Sequence, residues 1–359
     1  MTSERSAVLV QPRQMELREF PIPPIGDDAF LLKVNLVSIC GGDPIEYEGR
    51  NVKAHYPMIL GHEMVGTIHQ IGDGATRRYG VAAGDRVNVE PYIVCGQCEY
   101  CLTGYYQFCV NSKVYGVNLS CEQPPHLWGA YGEYLYGAPG SKVHKIDPSV
   151  PDEAAALASV LGNGVRWIRT KARVAFGESV VILGAGAQGL ATVIAANEAG
   201  AAPIIVIGRE ANPAKWALAA EFGAHHLVDL DQEPDPLRRV RELTGGRLAD
   251  VVVECTGAEA MMQLGLEVAR PTARYIMIGT CGYGRPALIT DMIVFKELQV
   301  LGGLGQSWDT EAAVKIINAR KYPIEKMISQ VFPLEQADEA IRFFMARPDQ
   351  TVRVAIKPN

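Results

Sequence analysis

Residues 179–196 read SVVILGAGAQGLATVIAA. An apolar run at 179–183 meets a glycine-rich turn and then a helix-like run. A strand covered on both faces reads as a continuous hydrophobic segment. The turn Gly184-Ala185-Gly186-Ala187-Gln188-Gly189 fits G-x-G-x-x-G in the context that gives the pattern meaning, after a strand and opening a helix. The first glycine permits the tight turn, the second lets backbone approach a pyrophosphate, and the third lets helix and strand pack closely. The helix N-terminus, at Ala187 and Gln188, then offers unpaired N–H groups and a positive dipole end to phosphates. Glycines after a strand also occur in plain α/β turns, so the pattern needs its surroundings. The stretch is too short and too interrupted by glycine to make a membrane span.

Working outward, strands and helices alternate. Strands are expected at 179–183, 204–207, 226–229, 250–254, 274–278 and 298–301. Helices fall between them at 188–198, 213–222, 236–243 and 259–269. Alternation of this kind predicts a parallel sheet with helices on both faces. Upstream, residues 6–150 read as β-rich, with short apolar runs separated by proline and glycine signals. The tail reads as helix at 310–319, strand at 328–332, helix at 334–346 and a closing strand at 352–356. The expected division is 1–152, 153–297 and 298–359, the last segment returning to the first.

The length of 359 residues suggests two or three domains. Charged residues at 21% and hydrophobic residues at 48% describe an ordinary globular protein. A formal net charge of −6 with no basic stripe argues against a nucleic-acid partner. The N-terminal residues lack a long apolar run and no lipidation motif is evident, so the cytoplasm is the expected compartment and no membrane partner is expected. Eight cysteines are too few for a disulfide scaffold in a chain this long.

Four of those cysteines, Cys95, Cys98, Cys101 and Cys109, are spaced C-x2-C-x2-C-x7-C within a lobe at 90–112. Four thiolates can close a tetrahedral zinc shell with no open position, the structural arrangement. The alternatives are an iron–sulfur cluster or coincidental surface thiols. The bacterial cluster run ends C-x3-C-P, whereas here the last gap is longer and Val110 follows. A second constellation is Cys40 with His62 and Glu63. Sulfur, imidazole nitrogen and carboxylate oxygen at strand ends make a mixed ligand set, and a catalytic zinc keeps three protein ligands and one open position. By themselves these residues also read as a core cysteine and a surface pair.

The segments Cys40-Gly41-Gly42-Asp43, Gly61-His62-Glu63 and Gly84-Asp85-Arg86-Val87, the four-cysteine lobe and the later GAGAQG stand in the order found in the zinc-dependent medium-chain dehydrogenases/reductases. The chain resembles that superfamily over essentially its whole length. The resemblance implies a two-domain α/β fold: a GroES-like β-barrel catalytic domain, completed by the C-terminal tail, with a Rossmann domain inserted. It implies a substrate site in the cleft and pairing of copies through the Rossmann sheet, as homodimer or homotetramer. It implies two zinc ions per chain, one structural on the four cysteines and one catalytic on Cys40, His62 and Glu63. It also implies that Arg353 lies against the cofactor pyrophosphate, a surface charge being the alternative.

The chain departs from the family pattern in three places. A further ligand slot, often Cys or Glu, is Ser159 by alignment. The usual Ser or Thr two positions after the first cysteine is Gly42, and the His three positions on is Ile45. The proton relay is therefore missing, and Glu46, Tyr47 or a water chain would replace it. The cofactor reading rests on Gly208 and Arg209. An acid about 20 residues after the turn commonly accepts from the ribose 2′-OH of NAD. Gly208 stands there instead, followed by Arg209, whose fork suits a 2′-phosphate. NADP(H) is favoured over NAD(H), with Glu210 as the acceptor in the opposing reading.

The expected reaction interconverts a secondary alcohol, polyol or amino alcohol and its ketone. The missing relay leaves two alternatives: an NADPH-dependent reductase of an activated double bond or imine, and an inactive nucleotide-binding or structural relative. Trp128, Tyr131 and Tyr134 read as core, a pocket lining being the alternative. His144 and the His225-His226 pair lack ligand spacing.

Overall fold

The computed structural model describes residues 3–209 and 212–359. They form two compact units, residues 3–159 with 313–359, and residues 160–209 with 212–312. The expected divisions at 152/153 and 297/298 lie 7 and 15 residues before the limits at 159/160 and 312/313. The difference at the second has a clear cause. Gln299–Gly302 pairs in parallel with Ala269–Met277, so it stays with the inserted unit.

In the first unit the organising element is Phe30–Ser38, whose nine residues are almost all buried. It pairs antiparallel with Glu63–Ile71 on one side and with Arg353–Lys357 on the other. Tyr134–Gly137 also pairs with its first half. The sheet continues through Arg86–Val89 to Val143–Lys145, and past Arg353–Lys357 to Ile328–Pro333. The central strand buries Phe30, Leu32 and Val34 on one face and Leu31 on the other, which is why this run looks continuous rather than alternating. A second sheet orders Gln14–Pro21, Ser3–Gln11 and Met58–Ile59.

Register then makes the site. Ser38 stands opposite Glu63 on one side and Ala355 on the other. Cys40, His62, Glu63 and Arg353 are therefore gathered at one end of the sheet, although 290 residues separate Glu63 from Arg353.

The second unit is a six-stranded, all-parallel sheet in the order 226–229, 204–208, 180–183, 249–254, 269–277 and 299–302. Val180–Leu183 is fully buried at its centre, and Ala187–Glu198 follows directly as a twelve-residue helix. The expected elements recur here within a few residues at each end.

Candidate active site

Donor atoms of Cys40, His62 and Glu63 all lie within 4.8 Å of one another, a set with Cys and His half-buried and Glu buried. Each is positioned from beneath. Asp43 opens the short helix Asp43–Tyr47 and is fully buried. Its Oδ2 accepts from the Cys40 backbone N–H at 2.9 Å and from the Tyr131 hydroxyl at 2.9 Å. Its Oδ1 faces His62 Nδ1 at 3.4 Å. The two atoms make no hydrogen bond at this distance, but the carboxylate stands beside one ring nitrogen, the side from which such groups orient a metal-binding imidazole. Gly61 has φ +92°, and a Cβ there would come within 2.4 Å of the Tyr131 ring, so only glycine lets His62 approach its support.

Glu63 Oε1 lies 3.4 Å from Arg353 Nη2, while Arg353 Nη1 donates to the Ile39 carbonyl at 2.7 Å. Arg353 is 3% exposed. It is thus no surface charge, and its guanidinium is directed at Glu63. Burial works against that charge, but Glu63 and Cys40 outweigh it and keep Arg353 protonated. Burial likewise would lower the His62 pKa, but Cys40, Asp43 and Glu63 hold it up at about 10. Asp43 itself is shifted up by burial, with His62 and the Cys40 N–H opposing.

The residues fit a zinc ion. Glu63 Oε2 is buried with no hydrogen-bond partner. Soft sulfur, imidazole and carboxylate in one cluster match the preferences of zinc. Among the described residues no fourth His, Cys, Asp or Glu joins the three.

Glu46 stands next to this cluster. It is buried, and its Oε1 accepts from Asn51 Nδ2 at 2.9 Å, while Oε2 has no partner. A Cβ on Gly42 would lie 3.8 Å from Cys40 Sγ and 4.0 Å from Glu46 Oε2. The space left by the missing relay side chain is therefore bounded by the Cys40 sulfur and the Glu46 carboxyl. Tyr47 is committed elsewhere, its hydroxyl donating to Asp338 at 2.7 Å.

The four cysteines of the lobe also converge, with all Sγ atoms within 4.8 Å. Cys98 and Cys101 are 3.5 Å apart and Cys95 and Cys101 are 3.9 Å apart. Four sulfurs at tetrahedral zinc distances would be about 3.8 Å apart. Backbone N–H groups, foremost that of Val110, hold Cys98 down at about 6, while burial pushes Cys101 up to about 12. The lobe is moored by buried Glu90, which accepts from Tyr106 at 2.6 Å and bonds His144 Nε2 at 2.7 Å. That anchoring role for His144 has no spacing signature.

In the second unit Gly184 has φ +101°, and a Cβ on Gly189 would lie 1.9 Å from the Gly184 carbonyl. A Cβ on Gly186 would meet nothing within 4 Å, the open space a pyrophosphate needs. Gly186 caps the Ala187–Glu198 helix without a side chain, leaving its first N–H groups, at Ala187 and Gln188, for an anion. Gly208 ends its strand, and Arg209 is exposed and ion-paired with Asp231. Glu210 lies outside the described residues.

Asp43 carries no spacing signal of its own in the segment 40–43, and Tyr131 has the look of a core tyrosine. Tyr131 is indeed fully buried, yet its hydroxyl serves the site.

Residues 26–148 match the alcohol dehydrogenase GroES-like domain, and residues 187–319 match the zinc-binding dehydrogenase domain. The chain is 39% identical to a probable alcohol dehydrogenase, adh, of Mycobacterium tuberculosis over 94% of its length and 93% of that protein. It is 32% identical to L-threonine 3-dehydrogenase of Pyrococcus furiosus, over 92% of each. Among solved structures it resembles a Sinorhizobium meliloti protein classed as a zinc-binding dehydrogenase and bound to NADP. There the TM-score is 0.87, with 26% identity and the whole of both chains covered.

Proposed function

The chain belongs to the zinc-dependent medium-chain dehydrogenases and is an alcohol/polyol oxidoreductase; from that premise we propose that Cys40, His62 and Glu63 hold a catalytic zinc, that Glu46 takes the carbinol proton, and that NADP(H) is the preferred cofactor. The observation that carries this is the convergence of the three donors around an unpartnered Glu63 Oε2. When bound, zinc supplies a Lewis acid for the substrate oxygen, and the nicotinamide takes or gives the hydride.

The protein's own residues do the rest. Asp43, fixed by Tyr131 and the Cys40 N–H, orients His62. Arg353 offsets the negative charge on Glu63 and Cys40. In the oxidative direction the carbinol gives up a hydride and a proton, and Glu46 Oε2 is the buried acceptor beside the gap at Gly42. Gly184, Gly186 and Gly189 make room for the pyrophosphate. Arg209 pairs with the 2′-phosphate. The expected substrates are secondary alcohols, polyols or amino alcohols and their ketones.

A second, structural zinc on Cys95, Cys98, Cys101 and Cys109 completes the reading, supported by sulfur separations close to tetrahedral spacing. No disulfide joins any of the eight cysteines, which leaves the proposed ligand thiols available to metal. Among the described residues no helix is long and apolar enough to cross a membrane. A homodimer through the outer edge of Gln299–Gly302 is supported by that strand's exposure, with Val294, Phe295 and Leu304 exposed nearby. Metal analysis with paired NADPH and NADH kinetics over a panel of alcohols and ketones tests the whole. Two zincs per chain and a larger kcat/KM with the phosphorylated cofactor are expected; a chain lacking the second zinc or preferring NADH refutes the corresponding part.

A further inference from the structure

The end of the Ile204–Gly208 strand bears no acid of its own, but its neighbour delivers one. Gly208 pairs with Asp229 in the adjacent strand, and the Leu230 N–H donates to the Gly208 carbonyl at 2.8 Å. The chain then turns at the strand end. Asp229 Oδ1 accepts from the Asp231 N–H at 3.1 Å and fixes that turn. Asp231 is thereby presented to Arg209, and its Oδ1 accepts from Arg209 Nη1 in an ion pair. The Arg209 carbonyl is held in turn by Trp216 Nε1 at 3.2 Å. Both charged side chains are more than half exposed, so a ligand can reach either.

We propose that Asp231 is the residue that sets cofactor selectivity: its carboxylate competes with a 2′-phosphate for Arg209 and offers a 2′-hydroxyl an acceptor. The inference rests on the reading that Arg209 meets the 2′-phosphate of NADP(H). An exposed ion pair is weak, so an incoming dianion can take Arg209 from its partner. The displaced carboxylate then faces a like charge at close range, which lowers affinity for the phosphorylated cofactor. For the unphosphorylated cofactor the same carboxylate stands one strand away from where an acid commonly receives the ribose hydroxyl. The site is accordingly a two-cofactor site, with the preference for NADP(H) held narrow by Asp231.

The test is calorimetric binding of NADP+ and NAD+ to the full chain with its metal, for the wild type, Asp231→Asn and Arg209→Gln, with melting curves confirming that each variant is folded. Asp231→Asn is expected to bind NADP+ up to about fivefold more tightly, the scale of an exposed ion pair, and to bind NAD+ several-fold more weakly. Equal shifts for both cofactors, or none, overturn the inference. Arg209→Gln separates the two claims. A loss of at least about tenfold for NADP+ alone supports the Arg209 reading. If that loss occurs while Asp231→Asn is silent, the selectivity role falls and the Arg209 reading stands. If Arg209→Gln leaves NADP+ binding unchanged, both fall.

Discussion

Replacing Glu46 with glutamine tests the proposed proton route most directly. Glutamine keeps the shape of the side chain. Its oxygen can still accept from Asn51 Nδ2, now 2.9 Å from Oε1, and its amide nitrogen takes the place of Oε2, which has no protein partner. The fold should therefore be retained while the proton acceptor is lost. A positioned general base contributes about 10²- to 10⁴-fold, or about 2.7 to 5.4 kcal/mol of barrier. The kcat for alcohol oxidation in Glu46→Gln should fall at least about 100-fold. The pH profile carries the sign. Burial and the neighbouring Asp43 raise the Glu46 carboxyl above its ordinary value. Oxidation needs the carboxylate, so the wild-type rate should climb as pH rises through that raised value, and the climb should vanish in Glu46→Gln. Gly42→Ser, with Glu46 retained, adds a relay hydroxyl for comparison. Gly42 has φ −80° and ψ −34°, which serine adopts readily, and its Cβ would meet nothing closer than 3.8 Å. A hydroxyl there can approach the ~2.7 Å of an O–H···O bond to the side chain at 46. Stopped-flow absorbance of the reduced cofactor from pH 5 to 10 measures all three proteins. A Glu46→Gln variant with kcat within about twofold of wild type and an unaltered profile would refute the assignment.

Three further outcomes follow from other parts of the molecule. Burial lifts Glu4 to about 7, against hydrogen bonds from Ser6 and Tyr134. Folding thus favours its protonated form, and the associated stability is present below the ordinary carboxylate range and lost as pH rises through about 7. Glu4→Gln should flatten the fall in stability between pH 5 and 8 by on the order of 2 kcal/mol, seen as a shallower fall in melting temperature; parallel wild-type and variant curves in differential scanning fluorimetry would count against it. Cys109→Ser should lower zinc from about two to about one per chain by mass spectrometry of metals and depress Tm by several degrees, and an unchanged metal count would remove the structural site. Val300→Lys, on the exposed edge strand, should convert a dimer to a monomer in light scattering while leaving NADP+ binding intact.

The inserted unit was legible because its signals are local. A buried strand, a glycine turn and a helix occupy one continuous stretch from Val180 to Glu198, and the same period repeats. The lobe was legible for the same reason, four sulfurs within fifteen residues. The supports of Cys40, His62 and Glu63 were not. Tyr131 reaches Asp43 across 88 residues and looks like any core tyrosine, because register and not spacing brings them together. Arg353 could be singled out as a basic residue on a closing strand, but its contact with Glu63 depends on which strand lies beside Phe30–Ser38. The limit of the inserted unit was missed because 298–301 looks the same whether it extends the parallel sheet or starts the return.

The Arg353–Lys357 strand is inserted between Phe30–Ser38 and Ile328–Pro333. A ribosome adding 5 to 20 residues per second needs roughly 15 to 60 s to travel the 290 residues from Glu63 to Arg353. Through that interval the nascent chain holds Cys40, His62 and Glu63 without the guanidinium that later balances them, and one flank of Phe30–Ser38 waits for its partner. The intervening parallel unit draws its sheet entirely from residues 180–302 and can close first. The charge balance around the proposed zinc ligands is thus completed only by the last residues to be synthesised, and a chain stopped short of residue 353 leaves one edge of Phe30–Ser38 without its strand partner.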